Sequence, residues 1–202
     1  MWPTRAAPKL LIAMTLALAV DSAVSQESVE TRIDRLFERW DTEHTPGAAV
    51  AVARGTETIY ENSFGLASLT YGVPISGETV FNVGSVAKHV TSTAILMLAA
   101  DGELSLDDDV HSYIQELPDY GAPITIRQLL QHTSGLRDYR TLMFLAGWRS
   151  GDAQTNEQAL RLVFRQQSLN FPTGRGFGYS NSNYLLAAEI VARVTDTDFG
   201  TW

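Results

Sequence analysis

The sequence predicts a mixed α/β (α+β) domain in which an antiparallel hairpin precedes a mainly helical region. Three observations carry that expectation. Two apolar strands flank a glycine turn between residues 48 and 61, later segments repeat apolar residues at helical spacing, and about 177 residues follow a short leader, enough for one domain.

The elements follow in order. Residues 29–40 place Ile33, Leu36, Phe37 and Trp40 on one helical face, and residues 41–47 break the pattern. Residues 48–53 and 58–61 form the two strands, joined by Arg54-Gly55-Thr56. Residues 65–79 read as irregular. A helix then begins around Ser85, with Val90, Ala94, Met97 and Leu98 as its apolar stripe and Asp101-Gly102 as its stop. Residues 104–110 start with a turn and lead into a short helix ending near Pro118. Thr125-Ile126-Arg127-Gln128 fits a capping box ahead of Leu129 and Leu130, and His132-Thr133-Ser134-Gly135 closes that helix. Residues 156–166 form another helix striped by Ala159, Leu160, Val163 and Phe164. Residues 171–178, rich in glycine, are loop, and residues 184–194 are a last apolar helix.

Residues 1–25 read as an export signal. Arg5 and Lys9 are the basic region, residues 10–20 the apolar run, and Ala23-Val24-Ser25 a small-residue stretch suited to cleavage. Eleven residues fall short of the roughly 20 that cross a bilayer as a helix. Without Arg5, Lys9 and Asp21 the formal charge moves from −8 to −9, and an acidic chain lacking basic clusters is a poor nucleic-acid binder. With no cysteine there are no disulfides or thiolate metal sites, and four scattered histidines lack zinc-ligand spacing. Asp107, Asp108 and Asp109 are consecutive, unlike the alternating ligands of a calcium loop, and read as a solvated helix start. No metal or cofactor is expected.

The chemistry concentrates on Ser85 and Lys88. Lys88 is the one lysine of residues 26–202, and every other cation there is an arginine, which does not release its proton. Three residues apart at a helix start, Ser85 and Lys88 share a face. A serine hydroxyl needs a neighbouring base, and a partly desolvated amine near the positive end of a helix can serve as one. By themselves Tyr179 and Asn181 read as a loop tyrosine and a helix N-cap.

The ordered strings Pro46-Gly47-Ala48, Phe81-Asn82-Val83-Gly84-Ser85-Val86-Ala87-Lys88, Asp101-Gly102-Glu103-Leu104-Ser105-Leu106-Asp107-Asp108, residues 124–136 with their His132-Thr133-Ser134-Gly135-Leu136 end, and Tyr179-Ser180-Asn181 together carry a family signal. With them, residues 46–199 resemble the serine β-lactamase and penicillin-binding protein superfamily, in its class C β-lactamase, D-alanyl-D-alanine carboxypeptidase and esterase branch. The resemblance implies a β-lactamase/transpeptidase-like fold over residues 26–202. It makes Ser85 the acylated nucleophile, Lys88 a proton acceptor or relay, Tyr179 the proton carrier to the leaving group, and Asn181 the holder of Lys88 and of the substrate's amide. It treats the turn at His132 as structural, and no G-x-S-x-G elbow occurs in the chain.

Implied substrates are β-lactams, D-Ala-D-Ala-type peptides, D-amino-acid peptides or small esters, met in the periplasm or outside the cell. Residues 139–155 are expected as a loop that shares in substrate choice, with Phe144 and Trp148 lining a pocket or covering core. Ala87 stands where many relatives have Thr or Ser before the lysine. The family's third motif, K-T-G or H-x-G on a strand beside the serine, has no counterpart before Trp202. That strand supplies an oxyanion-hole donor, typically worth about a hundredfold to a thousandfold in rate. The reading therefore expects an incomplete member whose C-terminal strands are missing, and sets against the serine hydrolase an inactive remnant or a module binding cell-wall peptides or a protein.

Overall fold

The computed structural model describes residues 27–149 and 151–202. The export signal expected over residues 1–25 lies outside the described residues. Among the described residues no helix is long and apolar enough to cross a membrane. The chain divides into two compact units, one ending at Phe81 and the other running Asn82–Trp202.

In the first unit, α1 (Val29–Phe37) starts where the Ser28 hydroxyl accepts from the Thr31 backbone N–H at 3.2 Å, and it runs on through one 3-10 turn, Glu38–Trp40. Strands β1 (Ala48–Arg54) and β2 (Glu57–Phe64) pair antiparallel, with Ala48 opposite Phe64 and Val52 opposite Tyr60. The connection is Gly55-Thr56, and Gly55 takes the left-handed φ of 61° that such a two-residue turn demands. The register slips between Val52 and Ala53, a bulge beside that turn.

Helix α1 meets β2 through a stack of Phe37 on Phe64, with ring centroids 5.1 Å apart. Asp34 adds two bonds, accepting from the Tyr60 hydroxyl at 2.5 Å and from Asn62 Nδ2 at 2.9 Å. The stretch expected to be irregular instead holds a second small hairpin, β3 (Leu66–Ser68) with β4 (Val73–Pro74). Strands of three and two residues show too little alternation to register as a period.

The second unit is helical: α2 (Ala87–Ala100), α3 (Ile126–Leu130), α4 (Tyr139–Leu145), α5 (Asn156–Phe164) and α6 (Asn181–Thr195). Its core joins Ile95 of α2, Ile126 and Leu129 of α3, Val163 of α5, and Leu186, Ile190 and Val191 of α6 in one cluster with Val110 and Ile114. Fully burying each such side chain contributes about 1.5–3 kcal/mol. The expected stripe on α2 holds at Ala94 and Leu98 and is corrected at Val90 and Met97, whose places in the core go to Thr91 and Ile95. Thr91, Ala94, Ile95 and Leu98 are buried, whereas Val90 and Met97 are 65% and 52% exposed. Apolar residues surround this helix, so spacing alone could not select the buried face.

The helix expected to end near Pro118 is a single 3-10 turn, Val110–Ser112. The three aspartates before it have separate structural tasks. Asp107 pairs with Arg127 at 2.8 and 3.1 Å, Asp108 accepts from the Tyr113 hydroxyl at 2.6 Å and the Ser105 N–H at 2.7 Å, and Asp109 caps the turn through the His111 N–H at 3.1 Å. The capping box at Thr125 and Gln128 forms as expected, and a second box, Thr155 with Gln158, opens α5.

Candidate active site

The site is assembled within the second unit from two helix starts. Gly84, at φ 53°, donates its N–H to the Asn82 side chain at 2.9 Å, and this tight turn introduces Ser85. Ser85 occupies the 3-10 turn Gly84–Val86, and Lys88 the first turn of α2. Lys88 Nζ reaches Ser85 Oγ at 3.3 Å. The short spacing thus does what it predicted.

From the other side, Ser85 Oγ and Tyr179 OH lie 2.7 Å apart, within hydrogen-bond range. Lys88 Nζ donates to Asn181 Oδ1 at 3.0 Å. It also sits 5.0 Å from the Tyr179 ring centre and 5.5 Å from that of Tyr184, so two aromatic faces support the cation. All four expected site residues therefore converge. Ser85 is exposed, Tyr179 is 51% exposed, and Lys88 and Asn181 are half-buried, so the hydroxyl and phenol are open to an incoming molecule.

Electrostatics at the site centre on Lys88. The Lys88 ammonium, and next the Ser85 hydroxyl, hold the Tyr179 phenol below its ordinary value of 10.0, because both stabilise the phenolate. Burial, followed by the positive charge of Lys88, also pushes the His132 imidazole below its ordinary value.

The reading of Asn181 as a helix N-cap is corrected: Ser180 holds the cap position, and Asn181 is the first residue of α6. Its side chain is thereby free to reach Lys88. Nor does His132 serve as a partner of Ser85. Its Nδ1 accepts from the Ser180 N–H at 3.2 Å and lies 3.1 Å from Asn183 Nδ2. Two donors on one ring nitrogen place the imidazole proton on Nε2.

What holds Tyr179 in place is the turn at residues 132–135. His132 takes a left-handed φ of 58°, and Gly135 one of 80°. Backbone bonds then join this turn to the glycine-rich loop: Asn170 N–H to Gly135 O at 2.8 Å, Gly174 N–H to Thr133 O at 2.9 Å, and Gly178 N–H to His132 O at 3.0 Å. A Cβ on Gly135 would lie 2.2 Å from the Phe171 carbonyl oxygen, so only glycine admits this approach.

The start of α6 completes the clamp. Ser134 Oγ donates to Asn183 Oδ1 at 2.6 Å, and Ser182 Oγ donates to Arg137 O at 2.6 Å while accepting from the Tyr139 N–H at 2.8 Å. Sequence reasoning passed over Ser182, Asn183 and Asp138, the last of which contacts Asn181 directly. An aspartate just ahead of the run at residues 139–145 is an N-cap signal that could have drawn attention to it. Residues 139–155, expected as a loop, include helix α4, and Phe144 and Trp148 border, with Arg140, Met143 and Asp152, a surface cavity of about 200 Å3 that none of the four site residues lines.

Known proteins share this architecture. The Beta-lactamase family model matches residues 33–202. Penicillin-binding protein 4* of Bacillus subtilis is 30% identical over 175 residues, which cover 86% of this chain and 38% of that protein. A D-aminopeptidase of Cereibacter sphaeroides is 31% identical over 151 residues, 74% of this chain and 28% of its own length. The solved structure of an octameric penicillin-binding protein homologue from Pyrococcus abyssi matches with a TM-score of 0.71 at 26% identity, over 86% of this chain and 40% of the other. This chain therefore spans well under half the length of these proteins. With an antiparallel hairpin, a helical unit of the β-lactamase/transpeptidase type and a family model matching most of its residues, the chain belongs to the Beta-lactamase family.

Proposed function

We propose that this protein is a serine hydrolase that acts through an acyl-enzyme on Ser85, cleaving an amide or ester. The observation that carries the reading is the 2.7 Å approach of Ser85 Oγ to Tyr179 OH with the Lys88 cation beside both. In the Tyr179 phenolate form, the phenolate oxygen takes the Ser85 proton as Oγ bonds to the substrate's carbonyl carbon. Lys88 stabilises that phenolate and is itself held between Ser85 Oγ and Asn181 Oδ1.

The tetrahedral adduct collapses by breaking the bond to the leaving nitrogen or oxygen, which takes the proton that Tyr179 now carries. A water molecule then attacks the ester carbonyl, passing one proton to Tyr179, and Ser85 departs with that proton. Asn181 keeps Lys88 in register and offers its amide to the substrate. No metal or cofactor enters these steps.

The D-aminopeptidase and penicillin-binding relatives support D-amino-acid peptides or β-lactams as the substrate class, with small esters as the same chemistry on a better leaving group. Export directed by residues 1–25 would bring the site to such cell-wall peptides. The test is covalent labelling of the chain by a fluorescent penicillin and by a fluorophosphonate, followed by peptide mapping. Label is expected on Ser85 and none on Ser85→Ala. Equal labelling of the two proteins, or no labelling of the native chain by either probe, overturns the reading and leaves a non-catalytic binding module in its place.

A further inference from the structure

We propose that Asp138 is a positioning residue that fixes which end of the Asn181 amide faces Lys88. The proposal rests on the serine hydrolase reading for its kinetic consequence but stands on separate geometry. Asp138 lies between two helix starts. Its Oδ2 accepts from the Thr141 N–H at 3.0 Å and the Thr141 hydroxyl at 3.2 Å, which caps α4. Its Oδ1 accepts from the Asn181 backbone N–H at 2.6 Å and from Asn181 Nδ2 at 2.8 Å.

The orientation follows from the donor and acceptor chemistry. An ionised carboxylate only accepts, and an ammonium only donates. An amide held between them has one satisfactory arrangement, with Nδ2 toward Asp138 and Oδ1 toward Lys88, where Nζ lies 3.0 Å away. The flipped amide would set its oxygen against a carboxylate and its NH2 against a cation. Bonds to a charged acceptor are about twice as strong as neutral ones, so the carboxylate holds the amide more firmly than a hydroxyl or second amide could. The backbone bond from Asn181 N–H to the same oxygen anchors the start of α6, so orientation and position are set by one atom. Lys88 is thereby presented with a fixed carbonyl oxygen and kept beside Ser85.

The test separates this role from plain helix capping. Asp138→Ser retains an N-cap acceptor for α4 but lacks the reach and charge to hold Asn181. Its melting temperature is expected to stay within a few degrees of the native value, and its rate of fluorophosphonate labelling to fall about tenfold or more. In an Asn181→Ala background the same change should slow labelling clearly less than in the native chain, because the amide it orients is gone and only the bond to the main-chain N–H of residue 181 is left to lose.

Native-rate labelling of a folded Asp138→Ser, or an equal loss with and without Asn181, overturns the proposal. Should the serine variant not fold, Asp138→Asn, a strong cap of the same size, is judged by the same two comparisons. A second readout needs no turnover: the Asn181 side-chain NH2 protons, followed by NMR, should be shifted and slow to exchange in the native chain and lose both properties in the variant. Unchanged NH2 signals would also overturn it. A native chain that takes no label sinks the hydrolase reading alone, and the NMR comparison still decides the role of Asp138.

Discussion

The two halves of the site are built by different means. Ser85 and Lys88 lie three residues apart, and the geometry of one helix start brings them together. Tyr179 and Asn181 come from 94 and 93 residues further along their hydrogen-bonded partners, and they arrive by way of a chain of contacts: the turn at residues 132–135, the loop zipped to it, and the polar first turn of α6. The local pair depends on few neighbours. The remote pair can be disturbed from residues that never touch the reacting atoms, which makes it the more fragile half.

Removing the cation of the local half should have the largest effect. Lys88→Met is expected to slow labelling of Ser85 about 10²- to 10⁴-fold, the usual range for losing a positioned proton-transfer group. It also tests the link to the remote half. Because Lys88 holds the Tyr179 phenol below its ordinary value, its loss lets that value rise. In the proposed mechanism the phenolate is the active form, so the rise of labelling rate with pH should move to higher pH in the variant. An unmoved pH profile would detach Tyr179 from Lys88.

The remote half can be broken without changing any of the four site residues. Gly135→Ala forces a Cβ to within 2.2 Å of the Phe171 carbonyl at a left-handed φ of 80°, so the turn and the loop must part. A stability loss of about 2 kcal/mol or more is expected by thermal or urea melts, together with slower labelling as Tyr179 loses its seat. Native labelling with reduced stability would show that the loop is not what presents the phenol.

A control sharpens the contrast. Thr155→Ala removes the capping hydroxyl of α5, whose bonds lie within its own box, and should cost about 1 kcal/mol while labelling stays at the native rate. A labelling change in this variant would mean that the site responds to stability in general rather than to the clamp around Tyr179.

What was legible in the sequence follows the same division. The β1–β2 hairpin, the Thr125 capping box and the Ser85–Lys88 pair are short-range features, and each appears as read. The face of α2 was read correctly at Ala94 and Leu98 but not at Val90 and Met97, because apolar side chains surround much of that helix, and the β3–β4 hairpin was too short to show a period. Asp138 stayed hidden because its importance lies in two bonds to a residue 43 positions away.

By itself the sequence determined the local geometry: helical spacing, caps, the glycine turn, and a serine and lysine on one face, all governed by backbone sterics and bonds within a few residues. The meeting of Tyr179 and Asn181 with that pair was decided only by the tertiary structure. Burial of Ile95, Leu129, Leu186 and Ile190 in one core brings α2, α3 and α6 together, and the left-handed turn at His132 and Gly135 sets the angle at which the loop enters. Packing against a common core is a property of the whole unit, and no spacing along the chain encodes it.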